Sequence, residues 1–398
     1  MAESSLPVSP LTFMLVCGEP SGDQLGAQLM AGLRALAGDN VKIVGVGGAA
    51  MTAQGLKSVF PLDDTAVMGL REVVPRIPAI LRRVRETADF ALRTRPDAVV
   101  LIDSPDFTHR IAQRLKWLDP TIRTVNYVAP QVWASRAYRA RKMTHYFDLV
   151  LALLPFEAPF FEAHGLHSVF VGHPVIERAS RMTGGGALRA RLGIAPDAPL
   201  LAVLPGSRAS EIRFILPAFR GAAELIARRI PNLVTIIPTV PHVAGRVREA
   251  TRDWPLSLHI VESEADKFAT FDAANVALAA SGTVTTELAL AGTPMVVAYK
   301  VDWLTYILAR PFVRVPYMTL MNLLLEWQAV PEFLQARCAP EPLAHAVVTL
   351  FADKDARERQ TAALKDAVQR LGAGQENPSL RAARALLDFA RKPPSKKP

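Results

Sequence analysis

Short apolar runs and longer segments of helical period alternate along the chain. Runs rich in Val, Ile and Leu occur at Phe13–Cys17, Ile43–Val46, Ala98–Ile102, Leu149–Leu153 and Val169–Val171. After the first run, Leu25, Leu29, Leu33 and Leu36 fall on one helical face. The pattern breaks over 172–199, where Gly184-Gly185-Gly186 sits among scattered charges and Pro196 and Pro199 follow. It restarts with Leu200–Leu204, Leu233–Ile237, Leu258–Val261, Val276–Ala280 and Met295–Tyr299. Strands alternating with helices predict parallel sheets covered on both sides, and continuous apolar runs suit strands buried on both faces. The expectation is an α/β protein of two Rossmann-like domains with parallel sheets, facing a cleft: residues 1–172 and 200–372, joined by a linker over 173–199. Residues 373–398 are expected to hold a C-terminal helix able to cross back, and then a disordered tail from Lys392.

Composition narrows the class. The 398 residues exceed what one core usually supports, and 50% hydrophobic residues exclude wholesale disorder. Lys and Arg number 46 against 37 Asp and Glu, a net charge of +9. Such a surplus points to an anionic partner: a nucleic acid, a nucleotide phosphate or an acidic membrane face. Two cysteines, Cys17 and Cys338, cannot build a disulfide scaffold and suit a reducing compartment. No secretory leader is expected, because the apolar stretch at Leu11 is short and no basic residue precedes it. No segment offers the ~20 uninterrupted apolar residues of a membrane span, so a soluble or peripheral protein is expected.

Six stretches carry candidate chemistry. Gly18-Glu19-Pro20-Ser21-Gly22-Asp23 follows the first strand, and such a turn feeding a helix offers N–H donors to an anion. It is not a dinucleotide fingerprint, and an ordinary turn capped by Ser21 or Asp23 is the alternative. Asp103 and Asp106 lie just past Ala98–Ile102, where open α/β sheets place ligand groups. Asp103 reads equally as a proton acceptor for a hydroxyl nucleophile or as a structural turn residue, whereas Asp106 reads as the cap of a helix starting at Phe107. Pro205-Gly206-Ser207-Arg208 offers close backbone approach, a hydroxyl and a guanidinium fork for phosphate. An Arg208–Glu211 surface pair is the alternative, worth only ~0.5 kcal/mol. Ser281-Gly282-Thr283 opens a helix and can hold a diphosphate, with Glu287 one turn on as acceptor for ribose hydroxyls. A cap built from Thr283 and Thr286 would explain the threonines but not Gly282. Val67 to Arg85 mixes apolar residues with Arg71, Arg76, Arg82, Arg83 and Arg85, which suits an anionic membrane or a core helix with a basic face. Pro75 and Pro78 argue against one regular helix there. Trp133-Ala134-Ser135-Arg136, with Tyr138, Arg139, Arg141 and Lys142, interleaves aromatic and basic residues without any named nucleic-acid module.

Other chemistries find no support. The eight His lack metal-ligand spacing, His164 and His167 included, and no G-x-S-x-G elbow or Walker lysine occurs. Neither a metal nor a cofactor is expected, and Cys17 reads as core.

Nine stretches in order, from Phe13 to about Cys338, resemble the lipid-A-disaccharide synthase family, glycosyltransferases of the GT-B type (family 19). They are Gly18–Asp23, Ala66-Val67-Met68-Gly69, Ile102–Phe107, Tyr127-Val128-Ala129-Pro130 with Val132-Trp133-Ala134, Leu153-Leu154-Pro155-Phe156-Glu157, Gly172-His173, Leu204–Arg208, Ala280–Glu287 and Asn322-Leu323-Leu324. The family often reads Trp-Ala-Trp where this chain has Trp133-Ala134-Ser135, and 323–332 diverges locally.

The resemblance implies transfer from UDP-2,3-diacylglucosamine to 2,3-diacylglucosamine 1-phosphate (lipid X). The products are the β-1′,6-linked lipid A disaccharide 1-phosphate, formed with inversion, and UDP. It implies no obligatory metal, no nucleic acid, and peripheral attachment to the cytoplasmic face of a Gram-negative inner membrane; an oligomer is left open. It implies Asp103 as the candidate base and Arg208 as an activity residue. Gly206, Ser207, Arg208, Ser281, Gly282, Thr283 and Glu287 would hold UDP, with Asn322 and Gln335 lining the nucleotide side. Gly18, Ser21, Gly22 and Asp23 would form the acceptor-side anion loop, and Val67, Met68, Leu70, Val73, Val74 and Ile77 would meet the membrane. Competing expectations are another GT-B enzyme acting on UDP-GlcNAc (a peptidoglycan transferase or an epimerase) and a non-catalytic peripheral binding module.

Overall fold

The computed structural model describes residues 10–65, 70–130, 138–309 and 315–392. The chain divides into two compact units, Met1–Pro174 with Gly374–Pro398, and Val175–Ala373. The first holds a parallel sheet of β1 (Leu11–Cys17), β2 (Val41–Val46), β3 (Ala98–Ile102), β4 (Thr124–Tyr127), β5 (Leu149–Ala152) and β6 (Ser168–Phe170), in the order β2-β1-β3-β4-β5-β6. The second holds β7 (Leu200–Leu204), β8 (Val234–Pro238), β9 (Ser257–Val261), β10 (Val276–Ala280), β11 (Met295–Tyr299) and β12 (Glu332–Leu334), in the order β12-β11-β10-β7-β8-β9.

Every residue of β3, β7 and β10 is buried, because helices cover both faces of each sheet. Alternate residues of β1 enter different clusters: Met14 and Val16 join Phe107 and Ile111, whereas Phe13, Leu15 and Cys17 join Leu29 and Leu33. Burial pushes the Cys17 thiol up to about 12, so it is inert packing. Two strands, β4 and β12, escape the apolar pattern. β4 reads Thr-Val-Asn-Tyr, yet all four residues are buried, and Thr124 Oγ1 donates to Tyr146 O at 2.8 Å. β12 is a three-residue edge strand that begins at Glu332.

Three expectations are corrected. Helix Leu70–Thr94 runs unbroken through Pro75 and Pro78. Burial of Val84, Ala88 and Ala91 on the first sheet holds it beyond the prolines. The expected linker 173–199 is folded from Val175 onward into the second unit. Helix Gly185–Arg191 buries Leu188, and Ile194 follows it into a cluster with Val234 and Ile236. Asp106 does not cap its helix. Helix Pro105–Leu118 starts at the proline, with Ser104 at the cap position.

The C-terminal helix Pro378–Arg391 packs on helix Pro20–Ala37 within the first unit. Ala382, Ala383, Leu386 and Leu387 meet Leu29 and Leu33 there, each buried leucine contributing about 2 kcal/mol. Arg123, ahead of β4, donates to the carbonyls of Phe389, Ala390 and Lys392 at the helix end and lies over the Phe389 ring. Residues 393–398, the expected tail, lie outside the described residues.

Candidate functional site

Ligands of open α/β sheets sit at the carboxyl ends of the strands, where neighbouring strands send the chain to opposite sides. The orders place that switch between β1 and β3 in the first unit, and between β7 and β10 in the second. The turns after Cys17, Ile102, Leu204 and Ala280 lie at them.

In the first unit, Gly18 must be glycine, because a Cβ there would lie 2.8 Å from Ser104 Cβ. This close approach brings the two loops together. Ser21 Oγ donates to Asp103 Oδ2 at 3.2 Å, and Ser104 Oγ to Glu19 Oε1 at 2.6 Å. Asp103 and Ser104 are both left-handed, with φ of 52° and 45°. Thr108 Oγ1 steadies the bend by donating to Asp103 O at 2.6 Å. At the end of neighbouring β4, Val128 has φ of 74°, an outlier for a β-branched residue. Such strain collects at functional loops. No periodicity or composition signals it, so sequence reasoning assigned Val128 no role of its own.

Asp23 does not belong to this loop's free surface. It is buried, and its carboxylate accepts from the N–H groups of Gly48 (2.7 Å), Ala50 (2.8 Å) and Met51 (3.0 Å). It caps the following helix, Ala49–Ala53, rather than its own, whose cap position is Glu19. Gly22 packs against the strand, where a Cβ would lie 2.9 Å from Cys17 Cβ. Of the expected anion loop, Ser21 alone points a polar side chain at Asp103.

In the second unit, Gly206, Ser207, Arg208, Ser281, Gly282, Thr283 and Glu287 line one cavity of about 260 Å³, joined by Thr239 and Lys267. Helix Thr283–Ala291 has no side-chain cap, which removes the Thr283/Thr286 alternative; Thr285 N–H donates to Gly282 O at 3.1 Å, and the N–H groups of Thr283 and Val284 are left to a ligand. Gly282 is extended, and a Cβ there would meet nothing within 4 Å. The fold therefore does not require this glycine; its missing side chain keeps the space before the helix open. Ser281 N–H donates to Ala298 O at 3.0 Å, tying the turn to β11.

The β7 turn differs. Glu211 Oε2 already accepts from the N–H groups of Ser207 (2.8 Å) and Arg208 (3.1 Å), and Oε1 from Arg208 Nη1 at 3.1 Å. Gly206, at φ of 113°, makes room for that carboxylate. The Arg208 side chain is nonetheless 70% exposed and open to a stronger anion.

Glu287 is buried and ion-paired twice, with Arg178 Nη1 at 2.5 Å and Lys267 Nζ at 2.9 Å. Sequence reasoning missed Lys267 and Thr239. Lys267 stands alone in helix Glu264–Ala273 without a motif, but Thr239 follows β8 at the same sheet edge and was findable as a strand-end hydroxyl. Asn322 is a correction. It is fully buried, exchanges hydrogen bonds with Val330 N and O at 2.9 and 2.8 Å, and donates to Glu332 at 2.7 Å. Its amide is spent inside the protein and is not in the cavity wall. Gln335 follows β12 with φ of 52°, also outside the cavity lining.

Of the expected membrane run, Val67 and Met68 lie outside the described residues, as do the side chains of Leu70, Val73 and Val74. Ile77 is exposed, and so is Leu81 one turn on. Arg82 and Arg85 face solvent, but Arg83 is tied to Asp64 and Glu86 and lies over Phe60. Trp133, Ala134, Ser135 and Arg136 also lie outside the described residues. Among the described residues no helix is long and apolar enough to cross a membrane.

Residues 13–386 match a family model described as lipid-A-disaccharide synthetase. A lipid-A-disaccharide synthase of Rhodospirillum centenum is 47% identical over 385 residues, 97% of this chain and 96% of the relative. One of Paramagnetospirillum magneticum is 45% identical over 379 residues, 95% and 97% of the two chains. Among solved structures, the S. aureus MnaA–UDP co-structure superposes with a TM-score of 0.62 at 14% identity, covering 98% of this chain and 100% of that one. That likeness is one of fold: two Rossmann-like units of the GT-B class.

Proposed function

The chain belongs to the lipid-A-disaccharide synthase family, and on that premise we propose that it joins two acylated glucosamines by an inverting transfer. The donor is UDP-2,3-diacylglucosamine and the acceptor 2,3-diacylglucosamine 1-phosphate. A glycosyltransferase of lipid A biosynthesis uses a sugar nucleotide and lipid substrates; the particular pair and the inversion are our reading.

In that reading Asp103 accepts the proton of the acceptor 6-hydroxyl as its oxygen bonds to the anomeric carbon, and the bond from that carbon to the diphosphate breaks. Ser21, bonded to Asp103, orients the carboxylate. The departing UDP carries the negative charge. Arg208 and the uncapped N–H groups behind Ser281, Gly282 and Thr283 receive it, a role in which one preorganised donor is typically worth about 100-fold or more in rate. Glu287, fixed by Arg178 and Lys267, accepts from the ribose. Val67, Met68, Leu70, Val73, Val74 and Ile77 rest on the cytoplasmic face of the inner membrane, where both lipids reside.

The observation that carries this reading is the open, uncapped helix start at Gly282, in one cavity with Arg208 and Lys267. Incubating the protein with both acylated substrates should release UDP and disaccharide in equal amounts. Turnover of UDP-GlcNAc with no use of the diacylated donor would transfer the protein to another GT-B activity.

A further inference from the structure

The second unit carries an exposed apolar face that the reaction does not use. Helix Trp303–Ala309 leaves Trp303 72%, Tyr306 38% and Ile307 53% exposed. The spacing of three and four residues puts these side chains on one stripe. Single exposed hydrophobics are ordinary, whereas three on one stripe, two of them aromatic, mark an interaction surface.

Its place in the fold narrows the partner. The helix follows β11, which pairs with β10 in register Ala280↔Ala298. Ser281, at the head of the nucleotide cavity, donates to that same Ala298. The stripe thus stands at the sheet edge that holds the diphosphate site, one strand away. Trp and Tyr are the side chains that favour the zone between lipid headgroups and acyl chains, with one apolar end and one polar end. In sequence, the stretch 300–314 carries Lys300, Arg310 and Arg314 against Asp302, an excess that complements anionic headgroups. Asp302 stands at the helix start, where its carboxylate accepts from Thr305 N–H at 2.9 Å.

We infer that Trp303, Tyr306 and Ile307 form a membrane contact on the nucleotide-binding unit, seated in the interfacial zone of an anionic bilayer. This inference rests on the proposed use of a lipid-bearing donor. It assigns bilayer contact to the second unit as well as to helix Leu70–Thr94, so the unit that holds the diphosphate meets its donor at the lipid surface.

The test compares the full chain with a Trp303→Ser, Ile307→Ser double variant on vesicles of phosphatidylethanolamine and phosphatidylglycerol. The vesicle-bound fraction should fall about tenfold relative to free protein, while affinity for UDP stays unchanged. Brominated lipid should quench the tryptophan fluorescence of the full chain, and quench less in Trp303→Phe, which keeps the shape of the face. Vesicle partitioning equal to the parent chain, or equal quenching in Trp303→Phe, overturns the assignment. So does a dimer that dissociates in the double variant with vesicle binding unaltered, since the occupant is then a second copy. A chain that binds no UDP but still loses vesicle affinity with Trp303 removes the proposed reaction and leaves this surface standing.

Discussion

The two strand-switch points are the same architectural device with opposite chemistry. Between β1 and β3 the loops present the carboxylates of Glu19 and Asp103, which accept, each already receiving a hydrogen bond from a serine hydroxyl, Ser104 and Ser21. Between β7 and β10 they present Arg208 and uncapped N–H groups, joined by Lys267 from helix Glu264–Ala273, all of which donate to an anion. The order of a parallel sheet creates the crevice, and the side chains at its rim decide what the crevice can do. In each unit one carboxylate close to these turns is committed to backbone N–H groups: Asp23 to the Ala49–Ala53 helix, Glu211 to the β7 turn. Asp23 is buried with three donors, whereas Glu211 has two weaker backbone partners beside an exposed arginine. One is part of the fold; the other can be displaced.

The contrast breaks most visibly at Asp103. Asp103→Asn should lower disaccharide formation by about 1,000-fold, within the range of general-base catalysis, without changing UDP affinity by calorimetry. A variant that turns over normally would strip the first crevice of its role. Arg208→Ala should lower the rate by about 100-fold and weaken UDP binding as well, separating charge stabilisation from proton removal. Asp23→Ala should cost roughly 3 kcal/mol through three orphaned N–H groups, read as a lower Tm, with UDP binding intact. Normal stability with lost activity would return Asp23 to the ligand loop.

The first unit should also be the acid-sensitive one. Burial against Tyr146 and Phe147, the largest influence, pushes the His109 imidazole down to about 4, and Arg139 adds to this while Asp106 opposes it. The unfolded chain takes up that proton near pH 6.5 and the folded one near pH 4. The stabilisation is therefore complete above pH 6.5 and disappears as pH falls to about 4, a swing of roughly 3 kcal/mol. Urea titrations across that window should show it, and His109→Gln should flatten the slope. The smallest effect is expected at Glu211→Gln. Loss of the internal carboxylate charge should free Ser207 N–H and Arg208, and UDP should bind about threefold tighter by competition relief. Weaker binding would mean that Glu211 holds the turn in shape rather than standing in for the ligand.

The apolar runs made most strands legible because a strand buried on both faces has few alternatives to Val, Ile and Leu. β4 escaped because its polar members, Thr124 and Asn126, are buried inside the sheet. Prolines misled at helix Leu70–Thr94, where burial of one face outweighs the lost backbone bonds. At the site, Gly282 was readable because no structural demand explains it, and Ser281 and Thr283 came with it. Lys267 was unreadable, since an isolated basic residue on a helix carries no signal until the helix is packed beside the cavity.

Sequence by itself determined the α/β alternation, the two sheets, the turns at their carboxyl ends and the family. The alternation, the sheets and the turns follow from side-chain hydrophobicity and local backbone preference, both of which act over a few residues; the family follows from nine motifs in order. Tertiary structure alone decided which polar groups remain available. Asp23 and Asn322 look as ready for a ligand as Asp103 and Ser281 do, until backbone groups at Gly48 and Val330 come within hydrogen-bond distance and consume them. A polar atom's chemistry is written in the chain, but its partner, 25 residues away for Asp23 and 8 for Asn322, is chosen by contacts that only the folded molecule brings together.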